Sequence, residues 1–186
     1  DGNGSRTSPI SWGGGGAYLT YSTARFLRCT FSNNLAYDGG GVYIDQGASV
    51  ELDACTISNN HVSSGGAGVM VYDATYGAGV PGSAVLKGCK MIANSGGTGG
   101  GMFCFTRTTS VIENCIFAQN SASPFGGAIF CHERSTVTAV NCTFTQNTAP
   151  TGGAVHCWDA TAMTRLTNCI VWANSSDSVC GQVTSC

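Results

Sequence analysis

Residues 114–133 read NCIFAQNSASPFGGAIFCHE, and residues 141–159 read NCTFTQNTAPTGGAVHCWD. Both stretches present the same features in the same order: a cysteine, a phenylalanine two residues later, an asparagine five residues after the cysteine, and a glycine-rich run. Self-similarity with a period on the order of 20 to 50 residues is the signature of a stacked repeat architecture. The pair therefore predicts a solenoid with coils of about 27 residues.

The cysteine and the asparagine each recur along the whole chain. Successive cysteines are separated by 26, 34, 26, 27 and 27 residues, and an asparagine always follows five positions later. Because identical amides stacked about 4.8 Å apart can bond to one another, we expect an inward-facing asparagine ladder at a turn. Asparagine also tolerates the left-handed backbone of a tight turn. The two columns are Cys29, Cys55, Cys89, Cys115, Cys142 and Cys169, and Asn34, Asn60, Asn94, Asn120, Asn147 and Asn174.

Apolar residues around these columns alternate with a period of two in three short runs per coil, and no segment shows the 3.6-residue spacing of a helix. This pattern predicts an all-β fold, a single-stranded right-handed parallel β-helix with three faces and about six coils. We assign one domain to residues 1–186, with a tail at 1–12, repeats at 13–174 and a cysteine-containing tail at 175–186. The long 34-residue spacing predicts a protruding loop over residues 73–83.

Two motifs resemble a known family of repeats. The phrases GGAI at residues 126–129 and GGAV at 152–155, together with the F-x-x-N units, are similar to the repeats of chlamydial polymorphic outer-membrane proteins. The resemblance covers roughly residues 13–174. It implies a β-helix and, loosely, a surface or adhesive role. The cysteine columns depart from that pattern.

Composition argues against several classes of partner. Only 10% of the residues are charged and the formal net charge is −2, so no basic stripe is available and we expect no nucleic-acid partner. No run reaches the roughly 18 apolar residues that span a bilayer, so we expect no membrane insertion. Because no cysteine or histidine spacing is typical of zinc, we expect neither a metal nor another cofactor.

The eleven cysteines favour an oxidising, extracellular setting, and their odd number leaves at least one thiol unpaired within the chain. A second column, Cys104, Cys131 and Cys157, has a coil spacing within the disulfide range of about 4.4–6.8 Å between Cα atoms. Parallel side-chain directions make such bridges strained, so both interpretations stay open and buried thiols are favoured. Cys180 and Cys186 lie outside the repeat and are the predicted disulfide.

One polar group is a candidate binding site. Aligned coils place His132 and Glu133 beneath Trp158 and Asp159, with His156 two residues before Trp158. A histidine, two acids and an indole at one turn suit a sugar or a cation. The competing interpretation, which the sequence favours, is an ordinary polar turn.

No other group of residues indicates catalysis. A polysaccharide-cleaving site would be expected to contain an Asp-Asp pair, a Gly-His-Gly triplet or an Arg-x-Lys strand motif. The chain contains none of these three motifs. The remaining acids, including Asp38, Asp45 and Asp73, are scattered and are expected at the solvated surface. We therefore do not favour an enzyme.

The leading hypothesis is an extracellular or cell-surface structural or adhesive module that stacks end to end or binds a cell-surface protein or glycan. The alternative is a polysaccharide-binding or polysaccharide-cleaving domain. An ice-binding array is disfavoured because Lys90 and Ile116 interrupt the outward threonine column.

Sequons at Asn3, Asn141 and Asn174 predict glycosylation in a eukaryotic secretory pathway.

Overall fold

The computed structural model describes residues 13–73, 79–175 and 177–185. Within these ranges every regular element is a β-strand, and each strand pairs in parallel with its equivalent one coil away. The predicted all-β parallel solenoid of about six coils is confirmed. The same ranges contain no helix of the length and apolarity that a membrane crossing requires.

The strands form four parallel sheets, called A to D. Sheet A contains β1 (Ala17–Thr20), β5 (Val42–Asp45), β9 (Val69–Tyr72), β13 (Met102–Phe105), β17 (Ile129–Cys131), β20 (Val155–Cys157) and β23 (Val179–Cys180). Sheet B contains β2 (Thr23–Leu27), β6 (Ser49–Asp53), β10 (Ser83–Lys87), β14 (Thr109–Glu113), β18 (Thr136–Val140), β21 (Met163–Thr167) and β24 (Val183–Ser185). Sheet C contains β3 (Thr30–Ser32), β7 (Thr56–Ser58), β11 (Lys90–Ile92), β15 (Ile116–Ala118), β19 (Thr143–Thr145) and β22 (Ile170–Trp172). Sheet D contains β4 (Leu35–Ala36), β8 (His61–Val62), β12 (Ser95–Gly96) and β16 (Ser121–Ala122).

Sheets A, B and C are the three predicted faces. Sheet D is an additional short face that follows the asparagine turn. Its strands have two residues each, which is too short for a period of two to be visible in the sequence.

The core is a stack of inward-facing side chains from sheets A, B and C. Its largest members, including Leu52, Phe117 and Phe144, are fully buried. The first cysteine column lies where sheet B turns into sheet C, and each thiol from Cys55 onwards donates to a carbonyl of the preceding coil, as Cys89 Sγ does to Leu52 O at 3.2 Å. These cysteines behave as small buried hydrophobic residues.

All ten described cysteines carry free thiols, including the second column at Cys104, Cys131 and Cys157. These free thiols agree with the preference for buried thiols over bridges in that column. Cys180 is one of these free thiols, so the structure does not contain the predicted Cys180–Cys186 bridge; Cys186 itself lies outside the described residues.

The asparagine ladder is present and faces inward. Each amide donates from Nδ2 to Oδ1 of the next ladder residue at 2.8–3.0 Å, from Asn34 through to Asn174. Each Oδ1 also accepts the backbone N–H of the preceding ladder residue at 2.9–3.1 Å. From Asn60 onwards, Nδ2 also donates to a carbonyl of the preceding coil. The ladder therefore ties three successive coils together.

The sequence led us to expect the left-handed residue of this turn at the ladder asparagine. It is instead the residue before it. Asn33, Asn59, Ala93, Gln119, Gln146 and Ala173 have φ values between 53° and 58°. The reason is geometric: this residue turns the chain, and the next one is thereby aimed into the core.

The insertion joins β9 to β10. Residues 79–82 contain no strand, as predicted, whereas Ser83 already pairs with Ser49 and Thr109 in sheet B. At the base of the loop, Arg107 pairs with the fully buried Asp73 at 2.6 Å and donates to Gly79 O at 3.0 Å. A charge-assisted pair thus holds both ends of the loop against the solenoid.

Candidate functional site

The outer face of sheet A carries a second apolar cluster. Tyr43, Met70, Phe103 and Phe130 point away from the core, as the alternation predicts, yet they are only 3–7% exposed. Tyr72, Phe105 and Phe125 pack against them. An outward-facing column this well covered is a packed layer in its own right, so the aromatic face is rigid before any ligand arrives.

Glycines explain how the column is covered on one side. Gly39, Gly66, Gly99, Gly126 and Gly152 all have φ between 57° and 65°, and a Cβ on any of them would meet the outward residue of the following strand at 2.6–2.8 Å. The turn before each strand therefore lies directly against the aromatic column. Only glycine combines this backbone conformation with this closeness.

Beside the covered column runs a second, more exposed column of rings. Tyr72 and Phe105 stack with centroids 5.0 Å apart, Phe105 and His132 at 4.8 Å, and His132 and Trp158 at 5.5 Å. Tyr72, Phe105 and His132 are half-buried, whereas Trp158 is 50% exposed. The column therefore presents a rigid aromatic surface that ends in an accessible indole.

Trp158 is enclosed on its inner side by further rings. Phe125 meets it edge-on, with centroids 5.2 Å apart, and also stacks on His156 at 4.7 Å. His156 in turn stacks on Phe130 at 5.5 Å. The predicted grouping of His132, His156 and Trp158 is therefore real, but packing among aromatic rings holds it together.

His132 is half-buried and His156 is buried in this cluster. Burial lowers the pKa of His132, against the opposing charges of Glu133 and Asp159, and burial alone lowers the pKa of His156. The Nδ1 atom of each ring is inaccessible and has no hydrogen-bond partner. A protonated form would leave an unpaired charge among aromatic rings, which is strongly unfavourable.

The two acids of the predicted site serve the turn. Asp159 Oδ1 accepts from the Thr161 N–H at 2.8 Å, the Thr161 hydroxyl at 2.7 Å and the Ala162 N–H at 2.9 Å. These hydrogen bonds lower the pKa of Asp159, with the Thr161 hydroxyl contributing most. Glu133 Oε2 accepts from the Thr106 hydroxyl at 3.2 Å. Glu133 and Asp159 form a polar border beside the rings.

The opposite end of the aromatic face is rich in tyrosine and carboxylate. Tyr18 stacks on Tyr43 at 5.3 Å and hydrogen-bonds to Asp45. Asp38 accepts the Gly65 N–H at 2.8 Å, and burial raises the pKa of its carboxyl.

The expectation that the scattered acids are solvated is wrong for three of them. Asp38, Asp45 and Asp73 are 9%, 5% and 0% exposed. Each is buried because it satisfies a backbone N–H or a guanidinium that the fold brings to it. The partners of Asp38 and Asp73 lie a coil away and are not visible in the sequence, whereas Asp45 accepts from the N–H of its neighbour Gln46.

Sequence reasoning missed the rings that complete the site. Tyr72 and Phe105 occupy the same repeat position as His132 and Trp158, counted from the glycine run, so the column could have been found by alignment of coils. Phe125 could not, because the other coils have no ring at its position.

The structure separates two of the predicted glycosylation sites. Asn141 is exposed at a left-handed turn. The Asn174 amide nitrogen is engaged in the ladder, donating to Phe144 O at 2.9 Å. Asn3 lies outside the described residues. A glycan on Asn174 would have to leave the remaining N–H directed at Phe144 O, so the exposed Asn141 is the more accessible acceptor.

No three histidine, cysteine, aspartate or glutamate side chains in the described ranges come together as a metal site would require.

A family model for the right handed beta helix region matches residues 6–171. The chain belongs to this right-handed β-helix family. Comparisons with curated proteins and with solved structures returned no match.

Proposed function

We propose that this β-helix is a structural or adhesive module, at the cell surface or outside the cell, that binds glycan chains with the outer face of sheet A. The observation that carries the proposal is the column of stacked rings from Tyr72 to Trp158. It is bordered by Glu133 and Asp159, and its last member is half exposed. Aromatic rings beside polar groups are the usual lining of a ligand site.

The rings of this face are held in place before a glycan binds. The apolar C–H face of a sugar ring can pack on Trp158 while its hydroxyls reach the carboxylates of the border. Because the rings are already held by Phe125, Phe130 and the parallel strands, little conformational entropy is lost on binding. The resemblance of the repeats to those of chlamydial outer-membrane proteins supports the surface location.

The test is binding to a panel of neutral and acidic polysaccharides, measured by calorimetry with the wild-type chain and two tryptophan variants. Trp158→Ala is expected to lower affinity roughly tenfold or more, because buried aromatic anchors dominate binding energies. Trp172→Ala is the matched control, since Trp172 is 72% exposed on sheet C. Equal losses in both variants, or no binding to any member of the panel, would refute the proposal.

Cleavage of the polysaccharide is the weaker form of the hypothesis. Asp159 accepts three hydrogen bonds of its own turn, and these lower its pKa, whereas the general acid of a glycosidase has a raised pKa. We expect no release of reducing ends or unsaturated products over an overnight incubation.

A second candidate function is end-to-end association of chains. The core is only half-buried at both ends of the solenoid. This holds for Phe26 and Phe31 in the first coil and for Cys169 and Val171 in the last. The side-chain to side-chain bonds of the ladder all run one way, from Nδ2 of one asparagine to Oδ1 of the next, which favours a head-to-tail contact between unlike ends. Light scattering at increasing concentration tests this, and a monomer that persists throughout would exclude it.

A further inference from the structure

The outer face of sheet B contains a cleft of about 220 Å³ near its N-terminal end. Its outward-facing walls come from three successive coils: Thr23 and Arg25 from β2, Ser49 and Glu51 from β6, and Val85 from β10. Sheet register places these side chains next to one another. The cleft thus combines hydroxyls, a guanidinium, a carboxylate and one apolar side chain in a space smaller than a drug-sized pocket.

An ion network holds the charged wall in place. Arg25 Nη2 lies 2.9 Å from Asp53 Oδ2, Arg25 Nε lies 3.6 Å from Glu51 Oε1, and Lys87 Nζ lies 3.5 Å from the same Glu51 oxygen. The four side chains are between 29% and 59% exposed, so they remain open to a ligand. Two positive and two negative groups make the network formally neutral.

This balance selects the chemistry of the ligand. A carboxylate or phosphate would have to displace Glu51 or Asp53 from Arg25, and an ammonium would have to displace Arg25 or Lys87. A neutral hydroxylated ring can instead accept from the guanidinium and donate to Glu51 without breaking a pair. The Thr23 and Ser49 hydroxyls add partners of both kinds, and Val85 supplies an apolar contact for a C–H face.

We propose that this cleft on sheet B binds a single neutral sugar ring, as a site separate from the aromatic face of sheet A. The sequence carries the signal in two columns. Arg25 and Glu51 lie four residues before Cys29 and Cys55, and Asp53 and Lys87 lie two residues before Cys55 and Cys89. Charges of opposite sign occupy neighbouring coils in these columns, and the solenoid stacks them at one spacing. The proposal does not depend on the aromatic face binding glycans.

The experiment is an NMR titration of the ¹⁵N-labelled full chain with the methyl glycosides of glucose, galactose and mannose, and with glucuronate and choline as charged probes. We expect amide shifts confined to residues around Ser49 and Glu51 with at least one neutral glycoside. Arg25→Ala is expected to weaken binding roughly tenfold, as loss of a hydrogen bond to a charged group does. Arg165→Ala, in the same outward column of sheet B near the other end, should bind as the wild type does.

Three outcomes would overturn the proposal: no shift at the cleft with any neutral glycoside, a response to glucuronate or choline alone, or equal weakening by both arginine variants.

Arg25→Ala is expected to fold, because exposed ion pairs contribute only about 0–1 kcal/mol. Arg25→Lys provides a second variant, which keeps the charge and is expected to bind with intermediate affinity. Trp158→Ala separates this site from the aromatic face, since it should leave cleft binding unchanged whatever it does to polysaccharide binding.

Discussion

The molecule contains two asparagine ladders with the same chemistry and different surroundings. The inner ladder lies in the core, where Asn60, Asn94, Asn120 and Asn147 are all 0% exposed. The outer ladder is at the exposed left-handed turn between sheets B and C, where Asn168 Nδ2 donates to Asn141 Oδ1 at 2.6 Å and Asn141 Nδ2 donates to Asn114 Oδ1 at 3.3 Å. The inner amides also bond to backbone N–H and C=O groups of the preceding coil, whereas the outer amides of the described residues bond to one another.

From this difference we expect burial, more than the hydrogen bond itself, to set the energetic value of a ladder. An exposed amide that loses its partner bonds to water instead, so little changes. A buried amide that loses its partner stays unsatisfied, at a cost of about 1–3 kcal/mol for each orphaned group. The inner ladder is therefore expected to be essential for stability and the outer one dispensable.

The largest effect is expected at the centre of the inner ladder. Asn120→Ala removes the acceptor of the Asn94 backbone and side-chain N–H groups and the donor to Met91 O. We expect the free energy of unfolding to fall by about 2–4 kcal/mol, measured by urea denaturation. A melting temperature within a degree of the wild type would contradict this view of the ladder.

Asn174→Ala should have a smaller effect, because its ladder contacts are only partly buried. Water can replace some of the lost partners of Asn147, so we expect about 1 kcal/mol. The same denaturation experiment ranks it against Asn120→Ala. If the two variants are equally destabilised, burial does not set the scale.

Neither ladder titrates, so acid sensitivity near neutral pH should come from the aromatic face. Burial lowers the pKa of His132 and His156 below the unfolded value of about 6.5. The unfolded chain then binds protons first, so the stability contributed by the neutral rings is complete above about pH 6.5 and is lost as the pH falls towards the lowered pKa values. The melting temperature should fall between pH 7.5 and 5.5.

The double variant His132→Phe, His156→Phe supplies the control for this pH dependence. Phenylalanine keeps the ring stack and cannot be protonated, so the difference in melting temperature between the two pH values should shrink. An unchanged difference would assign the acid sensitivity to other groups.

The smallest effect is expected on the outer ladder. Asn141→Ala should change the free energy of unfolding by no more than about 0.5 kcal/mol, as exposed substitutions usually do.

In a eukaryotic secretory host, Asn141 of the wild-type chain should carry the glycan detected by mass spectrometry, whereas Asn174 should remain largely unmodified. Glycan on Asn174 in a fully folded, stable chain would reverse this assignment.

The repeat made most of the fold predictable. Identical chemistry at Cys29, Cys55 and their successors, and at Asn34, Asn60 and theirs, requires identical backbone at each coil, so one column defines the register of all the parallel sheets. The ladder and the buried thiols followed from the same argument. The left-handed residue was placed one position too late, because a pattern of side chains does not report backbone dihedral angles.

The candidate sites were less predictable, for a physical reason. Coil alignment found His132, Trp158 and their neighbours, since those residues share a repeat position. It did not show that a glycine turn and Phe125 bury the surrounding rings, nor that Arg25, Glu51 and Lys87 form one network.

Sequence alone thus determined the solenoid, its period, its inward columns and the place of its insertion, because those features repeat and each repeat must stack on the next. Only the tertiary structure decided which outward residues are covered, which acids have partners and where the two candidate binding surfaces lie. Many of those properties depend on side chains one coil apart that meet through stacking, such as Arg25 and Asp53 or Thr106 and Glu133, and they differ from one coil to the next.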